Sequence, residues 1–189
     1  GFDRLGDLID DDPAFHIDVM AMNTCLTQCA EIVAALQGNV DYYVSSQSLV
    51  VTRVLWFPVP SLFSADWLSQ LAGSPAMTSE SLTKAIIQTV PSMMGDASAI
   101  RVSTYKDLQS ALDRFVDAAM AIPEPSGINP IWIALSKAAA DARRYTFDNT
   151  DLLDFMRKVR EYAIGLPGNQ RVIDAAQDVE LVLTNSGLV

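Results

Sequence analysis

The sequence predicts an α/β fold with a mostly parallel sheet and a helix-rich C-terminal half. Three observations carry that expectation. Two runs that read as strands, Ile17 to Met22 and Val40 to Ser46, flank a segment of helical periodicity. A strand, a helix and a strand in so few residues make a right-handed βαβ unit, which sets its strands parallel. Apolar residues then recur at helical spacing through most of the second half of the chain.

Taken in order, Leu5, Leu8 and Ile9 mark a short helix or loop that ends at Asp12-Pro13. Ile17 to Met22 is a buried strand. Leu26, Ile32, Val33 and Leu36, with interspersed alanines, predict an amphipathic helix from about Thr24 to Leu36, closed by a Gly38-Asn39 turn. Val40 to Ser46 follows as the second strand, and Gln47 to Pro60 reads as a loop. Short helical patterns cover Ser61 to Leu71 and, after Gly73-Ser74-Pro75, Leu82 to Met94, with Ser or Thr among Thr78 to Ser81 as its cap. Ile100 to Thr104 suits a strand. Lys106 to Ala121 is an amphipathic helix with Leu108, Leu112, Phe115 and Val116 on one face. Pro123-Glu124-Pro125-Ser126-Gly127 is the best linker signal and marks a possible subdivision. Helices are expected over Ile131 to Arg144, over Leu152 to Ile164 behind the cap Asn149-Thr150-Asp151, and over Gln170 to Leu183.

The 189 residues suit one domain or the larger part of one, and half of them are hydrophobic, enough for a sizeable core. A net charge of −10 with scattered Lys and Arg argues against nucleic-acid binding, because no basic run exists to neutralise phosphates. No apolar run approaches the roughly 18–20 residues that span a bilayer, so no membrane association is expected. Gly1-Phe2-Asp3-Arg4 does not read as a signal peptide, and a chain beginning with glycine is expected to be processed, tagged or truncated. The localisation stays open between secreted and cytoplasmic. Cys25 and Cys29 are the only cysteines and lie four apart, which builds no disulfide framework. With His16 the sole histidine, a zinc site is not expected.

Cys25 is the residue with the most chemistry to offer. It follows a strand-like run and opens a predicted helix, where unpaired N–H groups and the macrodipole favour thiolate. Cysteines in such places are more commonly small buried hydrophobes. A cysteine nucleophile needs a base, and His16, placed before the first strand, reads as a surface or loop residue instead. Asp10-Asp11-Asp12 lacks the alternation and glycine of a calcium loop and reads as a solvated turn. Trp56-Phe57 and Trp67 read as core. Ser46 has no Gly-x-Ser-x-Gly context, and no Gly-rich phosphate loop occurs.

Ile17-Asp18-Val19-Met20-Ala21-Met22-Asn23-Thr24-Cys25-Leu26, with Glu31 beyond it, resembles the nucleophile motif of the clostripain-like cysteine peptidases, roughly Asp-x-Cys-Leu-Met with a downstream Glu. Tyr43-Val44-Ser45-Ser46-Gln47 is similar to that family's Val-Ala-Ser-Glu strand end, and Trp56 to its tryptophan after the following loop. Thr150-Asp151-Leu152-Leu153-Asp154-Phe155 resembles its Val-Asp-Leu-x-Asp-Phe helix start, and Asn185-Ser186-Gly187-Leu188 the start of its Gly-Leu-Ser-Ile-Tyr strand. The resemblance implies a caspase-like three-layer sandwich over residues 1–189, as part of a single peptidase domain. It implies a cysteine endopeptidase with a Cys/His dyad, Cys25 being the nucleophile and proteins or peptides the substrate. The family's catalytic His sits in an upstream His-Gly motif that this chain lacks. The resemblance therefore implies a companion N-terminal fragment carrying that His, released by activating cleavage. No cofactor is expected, although some relatives depend on calcium.

Asn23, Ser46, Gln47 and Arg53 are the residues that the resemblance assigns to substrate binding. Two of them depart from the family pattern. Asn23 stands where the motif has Asp, and Arg53 falls near the second acidic position of the specificity pocket, in the loop after Ser46. An arginine there repels Arg or Lys and offers bidentate bonds to a carboxylate, so an acidic residue before the scissile bond is expected. The alternative for Arg53 is a solvent-facing side chain on a misaligned loop. Thr27 in place of the motif's Met is a packing change. Two other readings of the whole chain stay open: a catalytically inactive caspase-fold interaction domain with Cys25 as inert core, and an unrelated acidic α/β scaffold.

Overall fold

Ile17–Ala21 (β1) and Val40–Ser46 (β2) pair in parallel, Ile17 opposite Val40 and Ala21 opposite Val44, with the helix Ala30–Ala35 (α1) as the crossover between them. This is the expected βαβ unit. The computed structural model describes residues 15–22, 28–46, 53–54, 57–58, 65–89, 97–121, 130–145, 149–166, 168–185 and 187–188. The segments 5–12 and 123–127 discussed above lie outside these residues. The chain divides into two compact units, one of residues 1–105 and 187–189 and one of 106–186.

In the first unit, period-two alternation turns each strand into a two-faced plate. Met20, Met22, Tyr43 and Ile100 pack with Ile32 and Val33 of α1 and with Leu36 at its C-cap. Val19, Ala21, Val44 and Ala99 pack instead with Leu82, Ile86 and Ile87 of a later helix. Helix, sheet and helix make three layers. α1 is shorter than its periodicity suggests, starting at Ala30 rather than near Thr24. Residues 28 and 29 are not helical: the Gln28 N–H donates to the Ser46 carbonyl at 3.2 Å, and Cys29 is extended (φ −123°, ψ 156°). Backbone committed to the end of β2 is unavailable to a helix. After Leu36 the chain turns at Gly38, whose φ of +86° suits glycine.

Between Ser46 and the next helix, the segment read as a loop contains a small hairpin. Arg53–Val54 (β3) pairs antiparallel with Phe57–Pro58 (β4). Ala65–Gly73 (α2) and Ser79–Thr89 (α3) follow, and Trp67 packs into the core, as expected. Thr78 begins α3, its Oγ1 accepting the Ser81 N–H at 3.2 Å. The next strand lies earlier than its composition suggests, at Ala97–Arg101 (β5), because Val102–Thr104 winds into a 3-10 turn closed by Thr104 Oγ1 donating to the Arg101 carbonyl.

The expected parallel pairing is present at β1–β2, whereas β5 runs antiparallel to β2, with Ser46 opposite Ala97. The chain enters β5 at the end where β2 finished, so no crossover returns it to the other end. Gly187–Leu188 (β6) adds antiparallel to β5, giving the order β1-β2-β5-β6.

The second unit is helical: Tyr105–Met120 (α4, from residue 106 on), Pro130–Asp141 (α5), Leu152–Ala163 (α6) and Gln170–Asn185 (α7). Its core interleaves Met156, Val159, Val172 and Val179 with Ala134, Ala138, Ala163 and Ala176. Alanines at these contacts let helix axes come close. Glu180 of α7, mostly buried, takes Arg160 Nη1 of α6 at 3.0 Å, with Arg157 Nε at 3.8 Å. No helix among the described residues is long and apolar enough to cross a membrane.

α5 stops at Asp141, short of the expected Arg144, because Arg144 forms an antiparallel bridge with Thr150. That bridge delivers Asp151 to the N-cap of α6. One Asp151 oxygen accepts the Asp154 N–H and the other the Tyr145 hydroxyl, both at 3.1 Å, while Asp154 Oδ2 takes the Arg143 N–H at 2.7 Å. Asp151→Ala is expected to cost about 1–2 kcal/mol, the upper range for a cap, because the tyrosine loses its acceptor as well. Denaturant unfolding followed by circular dichroism measures it, and a loss under about 0.5 kcal/mol contradicts this role.

Candidate active site at the ends of the parallel strands

In open α/β sheets, ligand sites form beyond the carboxyl ends of parallel strands, where loops gather and backbone groups lack ladder partners. β1 and β2 are the parallel pair among the described strands. Where they end, the Met22 N–H donates to the Val44 carbonyl at 2.9 Å and the Gln28 N–H to the Ser46 carbonyl at 3.2 Å. The chain on either side of residues 23–27 is thus anchored to one strand. Cys25 belongs to that five-residue connection. It lies outside the described residues, as do Asn23 and Gln47.

Ser46 is the last residue of β2 and is 1% exposed. Its carbonyl holds Gln28, a residue that sequence reasoning passed over. Gln28 also joins the third strand, since Ser98 Oγ donates to Gln28 Oε1 at 2.5 Å. Its Nε2 is buried and, among the described residues, has no hydrogen-bond partner. A buried, one-sided carboxamide next to a thiol-bearing connection is unusual, because such groups are nearly always paired. In the sequence Gln28 is one polar residue between two cysteines, and only the pairing of strands reveals its contacts.

The helix N-terminus that the sequence assigned to Cys25 is occupied by Cys29, the N-cap of α1. Burial pushes the Cys29 thiol above its usual range; the Ile32 N–H works against this, and the Glu31 side chain adds to it. Cys29 packs against the α1-side core. Desolvation outweighs the helix terminus here, and Cys29 is a protonated packing residue at neutral pH.

His16 is exposed and directly precedes β1, as expected of a surface residue. At a strand rise of about 3.3 Å per residue it is roughly 20 Å from Met22, at the wrong end of β1 to serve a thiol near Cys25. Arg53 opens β3, its backbone paired with Pro58, instead of lying in an irregular loop.

Solved proteases share this fold. A clostripain from Bacteroides thetaiotaomicron, solved with the peptide inhibitor BTN-VLTK-AOMK, matches the whole chain with a TM-score of 0.61 at 13% identity, over 73% of its own length. A secreted C11 cysteine protease from the same organism, in complex with an irreversible peptide inhibitor, matches the whole chain at 0.61 and 16%, over 48% of its length. An inactive zymogen C11 protease from Parabacteroides distasonis matches 97% of the chain at 0.54 and 12%, over 46% of its length. The fold is clostripain-like. At these identities the likeness is one of fold, and it meets the expectation of a caspase-like α/β architecture with a helix-rich C-terminal half. No protein-family model matches the sequence, and no curated protein matches it.

Proposed function

We propose that this chain is the cysteine-bearing part of a clostripain-type cysteine endopeptidase, with Cys25 as nucleophile. The observation that carries the reading is the coincidence of a clostripain-like fold over the whole chain with a cysteine in the connection that leaves β1 at the carboxyl end of the parallel pair. In the proposed reaction the Cys25 thiolate attacks the carbonyl carbon of the scissile bond. The C–N bond breaks as an imidazolium gives its proton to the leaving amine, and a thioester is left on Cys25. Water then attacks the thioester, passing a proton to the imidazole and releasing the carboxylic acid, which restores the Cys25 thiolate and the imidazolium.

The imidazole belongs, in this proposal, to a companion fragment N-terminal to this chain. Support comes from β1: it pairs with β2 on one edge and, among the described residues, with no strand on the other. An unpaired edge presents free N–H and C=O groups that a strand of the companion satisfies. Asn23, Ser46, Gln47 and Arg53 are proposed to line the substrate site, with Arg53 favouring an acidic residue before the scissile bond.

The test is covalent labelling of the chain purified with its companion. VLTK-AOMK is compared with the counterpart ending in Asp, each with and without calcium, and the adduct is located by mass spectrometry. Labelling at Cys25 is expected, faster with the Asp probe. Faster labelling by the Lys probe overturns the acidic preference. No labelling by either probe beside an intact His-bearing companion overturns the peptidase reading and leaves the inactive interaction domain.

A further inference from the structure

At the opposite end of the β1–β2 pair, three side chains with metal-binding atoms meet. His16 and Asp18 are two apart along extended chain and share one face. Ile17 is in register with Val40 and Val19 with Tyr42, which sets Asp18 beside Asp41 on the neighbouring strand. All three residues are exposed, and one donor atom from each lies within 4.8 Å of the other two. His16 Nε2 stands 3.2 Å from Asp41 Oδ1. Donors bound about 2.0–2.1 Å from a shared ion are separated by about 2.8–3.4 Å, the shorter values in octahedral and the longer in tetrahedral geometry. The His16–Asp41 edge already has that length.

Two carboxylates side by side on adjacent strands repel and destabilise the pair unless a cation intervenes. The imidazole separates this set from an ordinary acidic patch. Carboxylates alone suit calcium or magnesium, whereas imidazole suits zinc, copper, iron or nickel. We propose that His16, Asp18 and Asp41 bind one first-row divalent transition-metal ion, water completing the coordination. The ion clasps the amino ends of the two strands whose carboxyl ends anchor residues 23–27. Roughly 13–20 Å of strand separates Asp18 and His16 from Met22, so the inference stands apart from the peptidase reading.

The experiment is titration of the metal-free full chain with Co2+, followed by absorption, and then displacement with Zn2+. The expected result is one Co2+ per chain with a visible ligand-field band, no near-ultraviolet thiolate-to-cobalt band, and release by Zn2+. His16→Ala, Asp18→Asn and Asp41→Asn are each expected to weaken binding by about tenfold or more, with unchanged far-ultraviolet circular dichroism, since all three side chains are on the surface. The absence of a ligand-field band at about millimolar Co2+ (far weaker than the usual structural site) overturns the proposal. A thiolate band does so too, by assigning the ion to the cysteines. Binding that survives His16→Ala and Asp41→Asn also overturns it and leaves the pair as a simple surface ion pair.

Discussion

Replacing Cys25 with alanine is expected to abolish both probe labelling and peptide hydrolysis by the complex with the His-bearing companion. Removing a catalytic nucleophile costs on the order of 10⁵- to 10⁶-fold in turnover, because what is left is binding and orientation without a covalent route. The informative control is Cys29→Ala. Cys29 sits at the N-cap of α1, where a helix terminus favours thiolate, yet burial holds its thiol above the usual range. The Cys29 variant is therefore expected to keep its labelling rate within about threefold, a change of under 1 kcal/mol in the barrier. Single-turnover labelling of the two variants, each checked for an unchanged melting curve, measures the difference. Labelling that persists in Cys25→Ala and vanishes in Cys29→Ala reverses the assignment.

Tyr43→Ala is expected to be the most damaging substitution in the first unit. Tyr43 is fully buried in the middle of β2, packs with Val33 of α1 and Leu36 at its C-cap, and brings its hydroxyl within 3.4 Å of Met22 Sδ. Truncating a buried aromatic side chain costs about 3–5 kcal/mol through lost transfer energy and the cavity left behind. That is a large share of the ~5–15 kcal/mol by which a domain is stable. The loss falls on the strand whose Val44 and Ser46 carbonyls anchor both sides of residues 23–27, so labelling of Cys25 is expected to slow in the fraction that stays folded. Tyr43→Phe keeps the ring and is expected to cost only about 1 kcal/mol, the sulfur being a weak acceptor. Denaturant unfolding of the two variants checks the ordering; an alanine variant no less stable than the phenylalanine one refutes it.

Much of the fold is legible in the chain because local pattern and burial agree. Val40 to Ser46 is a strand over its whole predicted length, and the helices near 106–121, 152–164 and 170–183 stand where their periodicity puts them. These segments are long or strongly patterned, so their own preferences and their packing point the same way. The misplacements occur where tertiary hydrogen bonds take backbone away from a local preference. Gln28 gives its N–H to Ser46 and delays α1, Arg144 bridges Thr150 and ends α5, and Arg53 with Pro58 makes a hairpin from a segment without strand periodicity.

The candidate site divides along the same line. The sequence by itself determined the βαβ order, the thiol after its first strand and the mismatch of His16 with the base a thiol requires. These follow from composition, period and spacing, which are properties of neighbours along the chain. Only the tertiary structure decided that Cys29, not Cys25, caps α1 and is held protonated by burial. It also decided that Gln28 ties β2 to β5, and that His16 and Asp18 meet Asp41 across the strands. Each of these depends on which strands pair and in what register. Register is set by the shared core between the layers, and a residue's own sequence neighbours do not encode it.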